Sequence, residues 1–256
     1  MGRKKEGSKL VMTLPPITNK QQEIPHLLYR FRVLNRVQIQ TFLNHKDYKT
    51  INHWLKDLTE KNYIKRDYKN TFQGRTIPAR YHLAINGIRY LRTLSSIDKK
   101  SLRKFYRESF TSDKFKERCM FIADIFTALV KRYGQDISFF TQSDYPTNGV
   151  IRDVMPTFGF IKKEGNNKIA YICELFNEKQ PRYFIRNRIS KFVDFFEDEP
   201  DTRILFVCPN ESMAKFVNRF TKRALEDKSI DTIYFKSMTY VGLKDMDFVS
   251  EEKNEE

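Results

Sequence analysis

The chain has 256 residues, 40% of them hydrophobic and 14% aromatic, and a formal net charge of +15 at pH 7. That length and apolar share suit one large or two ordinary folded domains with real cores. The charge is uneven: residues 1–100 hold 21 Lys and Arg against 7 Asp and Glu, and the remainder 26 against 25. Basic charge gathered in one module points to a surface that meets a polyanion, and nucleic acid is the expected partner.

Other classes are set aside by what the residues lack. No run of about 18 apolar residues exists, so no membrane partner is expected. The basic segment Met1 to Lys9 is not followed by an uninterrupted apolar stretch with a cleavage site, so no signal peptide is read. Cys119, Cys173 and Cys208 are far apart and form no CxxC pair or Cys/His cluster. They fit a reducing cytosol, and a cytoplasmic location is expected. No Ser/His/Asp or Cys/His grouping and no phosphate-cradling glycine loop is present, so no nucleotide cofactor is expected.

In chain order, residues 1–20 read as a flexible basic arm ending near Pro15 and Pro16. Glu23 to Leu34 reads as a first helix, with Pro25 in its first turn. Asn35 is an N-cap candidate with Gln38 three residues on, a box-like pair opening a short second helix. Asp47 is the candidate cap of a third helix, Tyr48 to Lys61. Its Ile51, Trp54, Leu55 and Leu58 recur at helical steps and face a core. Lys49, Asn52, His53 and Lys56 fall on the opposite face, where such donors can reach phosphates and base edges.

A two-stranded ribbon follows, Tyr63 to Tyr68 and Ala79 to Leu83, with a polar tip from Asn70 to Pro78. Helix, turn, helix and basic hairpin is the order of a winged helix. The expected DNA contacts are Lys46, Tyr48, Lys49, Thr50, Asn52, His53, Lys56, Lys65, Arg66, Lys69, Arg75 and Arg80. Ala84 to Leu94 reads as the closing helix. Gly87 within it costs about 1 kcal/mol relative to Ala, so a close approach to a strand is expected there.

Asp98 to Phe110 and Lys114 to Tyr133 read as connecting helices, which also offer a surface for a homodimer. Ile137 to Thr141, Thr157 to Lys162 and Ile169 to Phe176 read as strands, with a hairpin turn over Lys163 to Lys168. Arg182 to Phe196 and Ser212 to Leu225 read as helices, Thr202 to Cys208 as a buried strand and Asp231 to Phe235 as a final strand. This order implies a mixed sheet in an α/β layer. Arg182, Arg186 and Arg188 share a helix and are read as a solvated face, given the acidic run from Asp194 to Asp201.

The passage from Tyr81 to Leu91 resembles the Tyr-x-Leu-x-x-x-Gly-x-x-x-Leu pattern of the replication-relaxation family of plasmids and mobile elements. The order of parts is similar too, over roughly residues 23 to 240. The resemblance implies a restriction-endonuclease-like second half, and so an α+β chain in five parts. These are a basic arm (1–20), a winged helix (21–97), connecting helices (98–134), an α/β nuclease-like domain (135–243) and an acidic tail (244–256). The family's Asp, Glu-x-Asp and Lys-x-x-x-Tyr are met here by Asp153, by Glu174 with Phe176 two residues on, and by Lys191 with Phe195. Phe176 stands where a nuclease would carry Lys, so no catalytic or metal residue is assigned. Asp153, Glu174 and Lys191 are the fallback, with Mg²⁺ as cofactor only in that case.

The expectation is therefore a sequence-specific duplex-DNA-binding protein of a plasmid or mobile element. It would act in replication, conjugative transfer or their control, beside replication or transfer proteins. The alternatives are a metal-dependent endonuclease or nickase and a transcriptional regulator.

Overall fold

The computed structural model describes residues 13–68, 78–146, 148–164 and 167–245. The chain divides into two compact units, Met1–Lys116 and Glu117–Glu256.

The first unit opens with α1 (Asn19–Phe31), β1 (Leu34–Asn35), α2 (Arg36–Phe42) and α3 (Tyr48–Glu60). Then come β2 (Ile64–Asp67), β3 (Arg80–Leu83), α4 (Ile85–Thr93) and a 3₁₀ segment, Ser101–Phe110. Local chemistry explains each helix start. Thr18 and Gln21, and again Asn35 and Gln38, form reciprocal capping boxes, and Asp47 caps α3 through the amides of Lys49 and Thr50. Each cap satisfies amides that have no partner within the helix. The first helix thus begins at Asn19 rather than Glu23 and ends at Phe31, and Pro25 lies in its interior.

The segment before α1 is held down where a loose arm was expected. Tyr63 Oη donates to the Pro15 carbonyl at 2.6 Å and Lys61 Nζ to that of Pro16 at 2.9 Å. Residues 1–12 lie outside the described residues.

β1, β3 and β2 form a three-stranded antiparallel sheet in that order. The two-residue β1 has no hydrophobic alternation to announce it and is set by pairing Leu34 with Tyr81. Gly87 explains the entry to α4: a Cβ there would sit 2.2 Å from the Tyr63 carbonyl oxygen. That oxygen also accepts from the Ala84 amide at 2.9 Å. Arg32 closes α1 and donates to both oxygens of the fully buried Glu108, Nε at 2.8 Å and Nη2 at 2.6 Å.

α5 (Asp113–Tyr133) runs across the division between the units. Beyond it come β4 (Ile137–Thr141), α6 (Val150–Val154), β5 (Phe158–Glu164) and β6 (Asn167–Leu175). They are followed by α7 (Arg182–Asp198), β7 (Thr202–Cys208), α8 (Glu211–Glu226), β8 (Phe235–Thr239) and α9 (Tyr240–Asp245). The sheet order is β4-β5-β6-β7-β8, antiparallel through β6 and parallel from β6 to β8. The mixed sheet expected from the sequence is present, and the chain is α+β.

Ile204, Phe206 and Cys208 pack with Ile189, Phe192 and Val217 of α7 and α8. Phe139 of β4 meets Phe126 of α5, ring centroids 4.9 Å apart. Cover on both faces accounts for the unbroken apolar run of β7. Two further elements differ from expectation. The last strand is Phe235–Thr239, because Asp231 caps a 3₁₀ turn over Thr232–Tyr234. Asp98 to Phe110 is 3₁₀ in its helical part rather than α.

Candidate nucleic-acid interface

α3 presents the row that its periodicity promised. Ile51, Leu55 and Leu58 are buried, while Tyr48, Lys49, Asn52, His53 and Lys56 are exposed. Lys56 lies 3.9 Å from Glu60, a surface pair worth little in water. Lys46 is exposed just before the cap, and the Arg36 guanidinium lies 5.8 Å from the Tyr48 ring. Thr50 is committed to the cap, its hydroxyl donating to Asp47 Oδ2 at 2.5 Å. That bond, with the amides of Lys49 and Thr50, holds the Asp47 carboxyl below its ordinary pKa. Trp54 is only half-buried, its ring edge-on to His45 at 5.1 Å, and so is not the core anchor its spacing suggests.

The ribbon divides its cations between two faces, as strand alternation requires. On one face Arg66 is exposed and stacks on Tyr68 at 5.1 Å. On the other, Lys65 and Asp67 stand across from His82 and Arg80. Asp67 is paired with the buried Lys116, Lys65 Nζ lies 3.4 Å from Ser109 Oγ, and Arg80 Nη1 lies 3.1 Å from Asp113 Oδ1. The Arg80 side chain is only 11% exposed, so this expected DNA contact is corrected to a structural cation. Lys69 and Arg75, with the tip itself, lie outside the described residues.

His82 sits in the middle of this packed face, 2% exposed. Its Nε2 lies 3.1 Å from Ser109 Oγ, and its Nδ1 has no partner among the described residues. Burial, aided by Lys116 and Lys65 and opposed by Asp67, pushes its pKa down to about 4. The ring is therefore neutral near pH 7.

The division between the units sharpens the charge asymmetry. Met1–Lys116 holds 26 Lys and Arg against 9 Asp and Glu, net +17, and Glu117–Glu256 holds 21 against 23, net −2.

In the second unit the fallback nuclease residues fall in three different settings. Asp153 is exposed on α6 and Lys191 is exposed on α7. Glu174, on β6, is 5% exposed. Arg188 Nε donates to its Oε1 at 3.1 Å, Arg188 Nη2 lies 2.9 Å from its Oε2, and Thr157 Oγ1 donates to Oε2 at 3.0 Å. Arg188 also donates to the Val154 carbonyl at 2.7 Å. It is thus drawn inward rather than solvated, a correction to the reading of its helix face. Among the described residues no three His, Cys, Asp or Glu side chains converge as metal ligands. A guanidinium already neutralises the buried Glu174 carboxylate, so these residues do not fit a divalent cation. The three cysteines are free and buried, and burial pushes the Cys208 thiol up to about 12.

No protein-family model and no curated protein matches the chain. The replication-relaxation resemblance thus rests only on the residues quoted for it. Among solved structures the chain is similar to the restriction endonuclease FokI, at TM-score 0.33 and 11% identity, over 89% of this chain and 44% of that one. It is also similar to FokI bound to DNA, at TM-score 0.32 and 12% identity, over 89% and 45%. The chain spans less than half the length of those chains, and both TM-scores are too low to identify a fold. No helix among the described residues is long and apolar enough to cross a membrane.

Proposed function

We propose that the chain binds double-stranded DNA through its basic unit, acting as a winged helix. α3 enters the major groove, and the β2–β3 ribbon lies along the backbone. The reading is carried by the exposed row Tyr48, Lys49, Asn52, His53 and Lys56 over the buried Ile51, Leu55 and Leu58, on a unit of net charge +17. Lys49 and Lys56 bind phosphates, while Asn52 and His53 supply donors and acceptors for base edges. Arg66 is the ribbon cation best placed for a backbone contact.

The process is replication, transfer or their control on a plasmid or mobile element, supported by the Tyr81–Leu91 passage and the order of parts. A homodimer and docked replication or transfer proteins belong to the same reading. The strand order from β4 to β7, preceded by α5 and interrupted by α7, supports a restriction-endonuclease-like layout for the second unit. There it serves as a platform, because Arg188 occupies the Glu174 carboxylate.

Anisotropy titration of the full chain against fragments of its native element tests this. One fragment should bind more tightly than bulk duplex DNA, with affinity falling steeply as salt rises. Equal, salt-insensitive binding to all fragments would overturn the proposal.

A further inference from the structure

The α7/α8 face of the second unit has a composition that its net charge of −2 conceals. These helices cross over between parallel strands and pack side by side with the same polarity. At their N-terminal halves the Arg182 guanidinium lies 5.2 Å from the Phe216 ring centroid. Arg186 lies 5.9 Å from Phe216 and 5.5 Å from Phe220. Neither arginine has a carboxylate partner among the described residues, and both are exposed. Beside them Tyr183 is 69% exposed.

Glu211 is exposed at the start of α8, and the other acidic groups of α7 and α8 lie toward the opposite end of the layer. There Lys228 Nζ pairs with Asp194 at 2.8 Å and Glu197 at 2.5 Å. Two of the carboxylates expected to quench the arginines, Asp194 and Glu197, are engaged with Lys228 instead. What remains is an interleaved row of guanidinium and aromatic faces, with Lys215 and Arg219 also exposed on α8.

We infer that this face binds single-stranded nucleic acid. Guanidinium groups drawn to aromatic rings keep N–H donors for phosphate oxygens. The open ring of Tyr183 offers a stacking surface to a base. A duplex keeps its bases stacked on one another, whereas a single strand presents them, and stacking makes such binding tolerant of sequence. An acidic protein would use the cations but leave Tyr183 without a partner. The inference uses no residue of α3 and so does not depend on the duplex-binding proposal.

The test uses the full chain and labelled oligonucleotides of about 15 nucleotides, the span of such sites: oligo-dT, oligo-U and a duplex of equal length. Tyr183→Trp adds an exposed indole at a site open enough to accept it. The quenching it adds over that of the parent chain, whose one tryptophan is Trp54 of α3, should appear with oligo-dT or oligo-U, and the stronger quencher tells DNA from RNA. Tyr183→Ala and Arg182→Gln/Arg186→Gln should each weaken single-strand binding about tenfold while leaving duplex affinity and the melting temperature unchanged. Lys49→Ala/Lys56→Ala should leave the quenching intact. Three outcomes would overturn the inference: no added quenching, equal added quenching by the duplex, or loss of single-strand binding in the α3 variant alone.

Discussion

Arg188 of α7 and Glu174 of β6 form a bidentate pair inside the second unit, Nε to Oε1 at 3.1 Å and Nη2 to Oε2 at 2.9 Å. Their side chains are 14% and 7% exposed. The same guanidinium reaches the Val154 carbonyl at the end of α6, so one side chain ties a strand, a crossover helix and a short helix together. Removing one partner of a buried pair strands the other charge, at a cost of about 3–5 kcal/mol. Arg188→Ala is expected to lower the urea midpoint accordingly. A paired Arg188→Met/Glu174→Leu change should recover most of the loss. A near-silent Arg188→Ala would show that the pair does not hold the unit together. Millimolar Mg²⁺ should leave the melting temperature of the parent protein unchanged.

Gly87 gives a second, local test. A methyl group there would lie 2.2 Å from the Tyr63 carbonyl oxygen, a backbone atom already accepting from Ala84. Helix propensity favours alanine by about 1 kcal/mol, but overpacking against backbone costs about 1–3 kcal/mol. Gly87→Ala is expected to destabilise the protein in thermal melts. A stabilised variant would mean that α4 shifts away from β2 at little cost.

The cations of the basic unit divide into two groups that mutation should separate. Lys49→Ala/Lys56→Ala removes exposed charge, and should flatten the log-affinity against log-salt slope by up to about 1.8, at about 0.9 per phosphate contact. Arg80→Ala removes a cation that is held by Asp113 and largely buried. It should lower stability and leave the slope nearly unchanged. The reverse pattern would place the DNA on the ribbon rather than on α3.

His82 predicts a pH dependence with a definite sign. Its pKa is about 4 when folded and 6.5 as the reference value. Between those values the unfolded chain binds the proton and the folded chain does not, so stability rises with pH. The contribution is fully present above about pH 6.5 and is lost as pH falls toward 4, amounting to about 3 kcal/mol at most. Urea midpoints at pH 7 and pH 4.5 should converge less in the parent protein than in His82→Leu. The difference isolates this imidazole from the carboxylates that also titrate. Identical pH profiles would mean that the ring takes up its proton without disturbing the fold.

Much of the basic unit was readable because its signals are local. Asn35 with Gln38 and Asp47 before Tyr48 satisfy helix amides within three residues, so the residue types at that spacing nearly specify the helix starts. The Ile51, Leu55 and Leu58 stripe needs only the 3.6-residue period to orient α3. Where the reading failed locally, a competing signal had misled it. Pro25 drew the start of α1 inward past the Thr18–Gln21 box, and Asp231 capped a 3₁₀ turn where a strand was expected.

The amino-acid order by itself determined the periodic elements, the caps, the concentration of cations in the first 116 residues and the need for glycine at position 87. Only the tertiary structure decided which charges remain free. Arg80 meets Asp113 from 33 residues away, Arg188 meets Glu174 from 14 residues away, and Arg182 and Arg186 lie on rings of a helix beyond an intervening strand. A charge changes role when it finds a partner, and that partner is chosen by chain crossings that no short window of sequence contains.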